Sequence, residues 1–200
     1  VKYAEDLGFR IKHLGIARRA EHGIELRVHP TLIPEEQLIA NVNGVKNAVL
    51  VQAHAVGPTL YYGAGAGAGP TASAVVADIV DIVRDISYTE DGAGTIPQLA
   101  FEALTDLPIL KREEMTTGYY LRVDAEDQTG VLADITTILS RAGISIDAIM
   151  QQSRLKDLIP IVILTDPVVE SKMDDAIAKI QALPAIHGEI VRIRLESLDS

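Results

Sequence analysis

From Tyr119 to Ser197 the residue periodicity changes in a fixed order, and this constrains the fold more than any other feature. "YYLRVDAE" alternates with period two, as a half-buried strand does, and "DQTG" follows as a turn. Leu132, Ile135, Ile138 and Leu139 then fall on one helix face, and Gly143 stands where the helix must stop. "ISIDAIMQQ" and "IPIVILTD" read as two strands. "VESKMDDAIAKIQAL" reads as a helix halted before Pro184, and "GEIVRIRLES" as a last strand. The order βαββαβ is two βαβ halves, which predicts a ferredoxin-like domain over residues 118–200.

The upstream part is patterned differently. Residues 1–7 read as the end of a helix stopped by Gly8. "RIKHLGIARRA" and "GIELRVHPTLI" alternate around the short turn "EHG", so a hairpin is expected, with Ile24, Leu26 and Val28 on one face and Glu25, Arg27 and His29 on the other. "GVKNAVLVQAHAVGPTLYYG" offers two further strands broken at Gly57-Pro58, extending one mainly antiparallel sheet with a helix-facing or partner-facing side. Pro70 suits a first helical turn, and Ala72, Val75, Val76, Ile79, Val83 and Ile86 continue at helical spacing. The stretch after it mixes Gly, Pro and acidic residues without periodicity and reads as a linker. The expected organisation is α+β: residues 1–86 as one region, 87–117 as linker, and 118–200 as the βαββαβ domain.

Composition removes several classes of function. A net charge of -10 argues against nucleic acid, whose phosphates need a basic patch. With no cysteine, disulfides, thiolate metal sites and thiol nucleophiles are all excluded. No apolar run approaches the roughly 18 residues of a membrane helix, and no signal-peptide pattern is present, so the expectation is a cytoplasmic protein with no membrane partner. The chain lacks an initiator Met and starts within an amphipathic pattern without an N-cap, which reads as the back part of a longer protein.

"YYGAGAGAGPTASAVVADIVDI" is the run that invites chemistry. Backbone without side chains at Gly63, Gly65 and Gly67 admits close approach of a ligand, and the helix start near Thr71 offers free N–H groups. A tight structural turn satisfies the same spacing. A dinucleotide fingerprint also requires a following strand ending in an acidic residue, and here a linker follows instead. The five histidines (His13, His22, His29, His54 and His187) have no metal-ligand spacing, so no metal is expected; only His29 and His54 are placed near a cleft. Lys2 on a helix end and Lys12 on an alternating strand read as solvated lysines rather than catalytic ones.

"GIELRVHPTLIP", "NVNGVKNAV" and "YYGAGAGAGPTASAVVADIVDI", in this order, resemble the C-terminal half of the homoserine dehydrogenase catalytic region, from about Val1 to Ile86, with "PTASAVVADIVDI" the most specific part. The resemblance implies that Gly63, Gly65, Gly67 and Thr71 contact NAD(P), while the fingerprint βαβ, the catalytic lysine and the homoserine-binding carboxylates lie upstream. No catalytic residue is therefore assigned to this chain. One departure is Ala53-His54, where the family usually has Gly-Asp.

"DAEDQTGVLADITTILSRAGISIDAI" resembles an ACT domain, the amino-acid sensor of many biosynthetic enzymes. Read from the residues alone, Asp127 would be a helix cap and Gly130 a turn residue. The resemblance adds an amino-acid effector held by Asp127, Gly130, Val131, Leu132 and Ser145, often across a dimer interface, with threonine as the expected ligand; Asp127 stands where serine-binding ACT domains often have Asn. The implied parent interconverts homoserine and aspartate 4-semialdehyde in threonine and methionine biosynthesis, with NAD(P), as a homodimer or homotetramer. The rival reading is a non-catalytic amino-acid-binding and oligomerisation module.

Overall fold

The computed structural model describes residues 1–88, 105–151 and 158–198. It divides into two compact units, one of residues 1–40 with 107–200 and the other of residues 41–106. This differs from the expected division at 86 and 117. The N-terminal hairpin belongs with the βαββαβ domain, and the second half of the expected linker is built into the same unit. The first half of that linker, residues 89–104, lies outside the described residues.

In the first unit, helix α1 (Lys2–Asp6) leads into β1 (Phe9–Ala20) and β2 (Gly23–Pro34). Gly8 takes φ +78° directly after α1, the left-handed geometry that ends a helix. The β1–β2 ladder is antiparallel and runs from Phe9 opposite Pro34 to Ala20 opposite Gly23. The domain that follows comprises β5 (Thr116–Glu126), α3 (Val131–Arg141), β6 (Ile146–Gln151), β7 (Leu158–Val169), α4 (Glu170–Gln181) and β8 (Ile186–Leu195). One six-stranded sheet holds them in the order β1-β2-β8-β5-β7-β6. Its last four strands are the expected βαββαβ arrangement. The hairpin joins through a short parallel contact, Thr31 beside Arg194 and Leu32 beside Leu195.

Both faces of this sheet are covered. On one, Tyr119, Leu121 and Val123 of β5 and Ile161 and Ile163 of β7 pack against Ile135 and Leu139 of α3 and Met173, Ala176 and Ile180 of α4. On the other, Tyr120, Val162 and Leu164 meet Ala4 of α1 and Leu32 of β2. Strands buried on both faces read as apolar runs, which is why "IPIVILTD" lacks alternation.

The second unit contains β3 (Lys46–Ala53), β4 (Gly57–Ala64) and the 21-residue helix α2 (Ala68–Tyr88). Strands β3 and β4 form a separate two-stranded sheet. The expectation that they extend the hairpin sheet is corrected: among the described strands β3 and β4 pair with each other, while β2 pairs with β1 and β8. The apolar stripe of α2 is exposed, with Val75, Val76, Ile79, Val83 and Ile86 each more than half accessible.

Candidate functional site

The glycine run joins β4 to α2. Gly63 is the last-but-one residue of β4, opposite Asn47 on β3, and a Cβ there would meet open space. Gly65 donates its N–H to Val45 O at 3.1 Å, and a Cβ on it would collide with the Asn47 side chain. Gly67 takes φ +125° and its carbonyl accepts the Thr71 N–H at 3.0 Å, the first bond of the helix. Thus Gly65 and Gly67 are required by packing and backbone, whereas Gly63 leaves its face open. The arrangement is strand, open turn, helix start, suited to holding an anionic group by backbone donors. His54 lies exposed in the β3–β4 turn of this same unit.

In the first unit the turn between β5 and α3 carries Asp127 to Gly130. Gly130 holds the N-cap position of α3 at φ +99°. The residue at the N-cap position is thus Gly130 rather than Asp127, and the left-handed glycine sets the helix entry. Space is open over Gly130, where a Cβ would touch nothing within 4 Å. Val131 is buried in the core, and Leu132 packs against it partly exposed. Ser145 is not with them. It precedes β6, whose first residue Ile146 is level with Thr165, itself level with Tyr119 at the opposite end of β5 from the turn. The 11-residue helix between the two places spans about 16 Å. A single copy therefore brings Asp127, Gly130, Val131 and Leu132 together but leaves Ser145 at the far end of the sheet, in a shallow groove of about 760 Å³ with Thr136, Arg141 and Gly143.

Two charge clusters flank β8. Glu170, fully buried in the first turn of α4, accepts from Tyr119 Oη at 2.7 Å and Arg194 Nε at 2.9 Å, with Arg112 and Arg192 each 3.4 Å away. Burial alone would raise the Glu170 carboxyl, yet the hydrogen bonds from Arg194 and Tyr119 and the charges of Arg194 and Arg192 hold it below its ordinary value. Burial, with the Glu170 carboxylate beside it, pushes the Tyr119 phenol up. The second cluster joins β8 to the hairpin. Glu196 is 5% exposed and pairs with Arg27 and, at 2.8 Å, with Arg18; Glu25 lies 2.7 Å from Arg27 in ionic contact. Beside it, burial, reinforced by Arg194 and Arg27, holds the His29 imidazole below its ordinary range despite a bond to Pro30 O.

Sequence spacing gave no warning of either cluster, because the partners come from distant elements. The nearest signals were the alternate arginines of "RIRLE", which place Arg192 and Arg194 on one strand face, and the Glu25/Arg27 alternation. Among the described residues no group of three or more His, Asp or Glu is placed to hold a metal ion. None of the described helices is long and apolar enough to cross a membrane.

Residues 1–80 match the homoserine dehydrogenase family and residues 119–185 match the ACT domain. The chain is 56% identical over its whole length to 46% of a homoserine dehydrogenase from Pseudomonas aeruginosa, and 52% identical over 99% of its length to 46% of one from Neisseria gonorrhoeae. A crystal structure of a homoserine dehydrogenase from Thiobacillus denitrificans superposes with a TM-score of 0.90 at 59% identity, covering 99% of this chain and 45% of that one. The chain spans about half the length of the curated relatives it matches. With one homoserine dehydrogenase match, one ACT match and relatives that run along its full length, the chain belongs to the homoserine dehydrogenase family and carries an ACT domain.

Proposed function

We propose that the chain is the part of an NAD(P)-dependent homoserine dehydrogenase that returns to the nucleotide domain through α2 and senses an amino acid through its ACT domain. The observation that carries this reading is the likeness to homoserine dehydrogenases along the whole chain, glycine loop included. Gly63, Gly65, Gly67 and Thr71 supply open backbone and a helix start toward the cofactor; the hydride chemistry belongs to the nicotinamide when it is bound. The exposed apolar stripe of α2 suits burial against further parts of such an enzyme. The chain itself contributes positioning: no lysine or carboxylate in it is assigned to proton transfer.

The effector site is proposed to need two copies. Strand β6 is the outer strand of the sheet, and its last residue Gln151 is level with Ile161 on β7, toward the end that carries Asp127. A second copy added antiparallel to β6 about a two-fold axis brings Ser145 of one copy toward Asp127, Gly130, Val131 and Leu132 of the other. That juxtaposition offers backbone N–H groups at the start of α3 to a ligand carboxylate and the Asp127 carboxylate to its ammonium. Threonine, an end product of homoserine metabolism, is the proposed ligand, and a homodimer the smallest assembly that forms the site.

The reading is tested by assaying the complete open reading frame that contains this chain beside the 200-residue chain alone. Homoserine-dependent reduction of NAD⁺ or NADP⁺ is expected from the complete frame and none from the chain. Turnover by the chain alone, or none by the complete frame with either cofactor, contradicts the assignment.

A further inference from the structure

We propose that β8 carries the state of the effector turn to the β1–β2 hairpin, with Glu196 as its terminal contact. This rests on the effector reading above, and the test separates the two.

The route lies within the first unit. Glu126, immediately before the turn, donates its N–H to Ala185 O at 2.9 Å, and its carboxylate lies 2.8 Å from His187 Nε2. Both contacts fall at the start of β8. The strand then runs beside β5, from Ile186 next to Ala125 to Leu195 next to Gly118, with a shift of register between the Asp124–His187 and Arg122–Val191 pairs. Toward its far end, Arg192 and Arg194 grip Glu170, which ties β8 to α4. Just past its end, Glu196 donates its N–H to Leu32 O at 3.0 Å and its carboxylate binds Arg18 of β1 and Arg27 of β2. A shift of the turn thus has a hydrogen-bonded strand to act through and a charged contact to act upon.

Three features suit the far contact to switching rather than to simple cohesion. The β2–β8 ladder is only two residue pairs long, so backbone pairing between hairpin and sheet is brief, and this cluster adds a polar contact to the apolar packing of Leu32. Alternation along β2 is inverted: Glu25 and Arg27 are buried, while Leu26 and Val28 are 45% and 71% exposed. Buried ion pairs contribute little net stability compared with apolar packing, and registry or switching is their best-attested use. Finally, Arg18, Glu25 and Glu196 line a cavity of about 420 Å³ together with Thr117 and Gly118, which gives the side chains room for a second arrangement.

The experiment pairs calorimetry with amide hydrogen exchange on the 200-residue chain, using threonine, isoleucine, methionine and serine at millimolar concentration. In the wild type, a binding amino acid is expected to change exchange at the Ile24 and Leu110 amides by at least about fivefold, the lower end of ordinary coupling between sites. Glu196→Gln is expected to bind the same amino acid with unchanged affinity and to lose that response. His187→Gln cuts the route at its other end and carries the test should Glu196→Gln fail to fold. Binding without a hairpin response in the wild type, or a full response in the variants, overturns the relay while leaving the sensor intact. Absence of binding by all four amino acids overturns the sensor reading and the relay with it.

Discussion

Glu170 shows how much a single buried side chain organises here. It is fully buried, yet it remains ionised because Tyr119, Arg194, Arg192 and Arg112 converge on it from three separate segments. Its place in the first turn of α4 adds the favourable end of the helix dipole. Removing the carboxylate strands buried donors and positive charge, so Glu170→Ala is expected to cost about 3–5 kcal/mol in a denaturant melt. Asp81→Ala, which removes an exposed pair with Arg84, should change stability by less than about 0.5 kcal/mol. Since the folded-state pKa of Glu170 lies below its ordinary 4.5, its contribution is complete above that pH and is lost as pH falls through the lower folded value. Wild type should therefore lose stability below pH 4.5 more steeply than Glu170→Gln; parallel loss would contradict this account of the cluster.

At the scale of elements, local signals located most of the fold. Gly8, Gly143 and Pro184 end helices where turn chemistry says they should, and all six elements of the βαββαβ domain lie where periodicity placed them. What periodicity does not carry is partner choice. An alternating strand such as β2 announces two faces without saying which is buried, and here the charged one is, because its partners Arg18 and Glu196 come from elsewhere in the chain. For the same reason β3 and β4 were legible as strands but not as a separate sheet. The candidate sites divide similarly. The glycine loop and the turn before α3 are local and could be read directly, whereas the distance from Asp127 to Ser145 follows from the β5–β7–β6 register. Two surfaces remain that suit a second copy: the open edge of β6, where Ile149 is 39% exposed, and the Leu26/Val28 face of the hairpin. Sedimentation at micromolar concentration should give a dimer or larger for the wild type and a smaller species for Ile149→Lys. A wild-type monomer, or an Ile149→Lys variant of unchanged mass, would show that β6 is not the joining edge.

For the whole molecule, the proposed function makes this chain the amino-acid-sensing part of a homoserine dehydrogenase. The hairpin of the homoserine dehydrogenase match and the ACT domain share one six-stranded sheet, so sensor and hairpin are physically continuous rather than tethered. That continuity suits regulation, for which ordinary allosteric coupling of about 1–3 kcal/mol is enough. The most direct measurement is a calorimetric titration of threonine into the 200-residue chain at a concentration where it is dimeric. The account predicts saturable binding in the millimolar range or tighter, with one threonine per chain and the heat lost when Ile149→Lys separates the copies. No heat from threonine, isoleucine, methionine or serine would contradict it and leave the domain as an oligomerisation module.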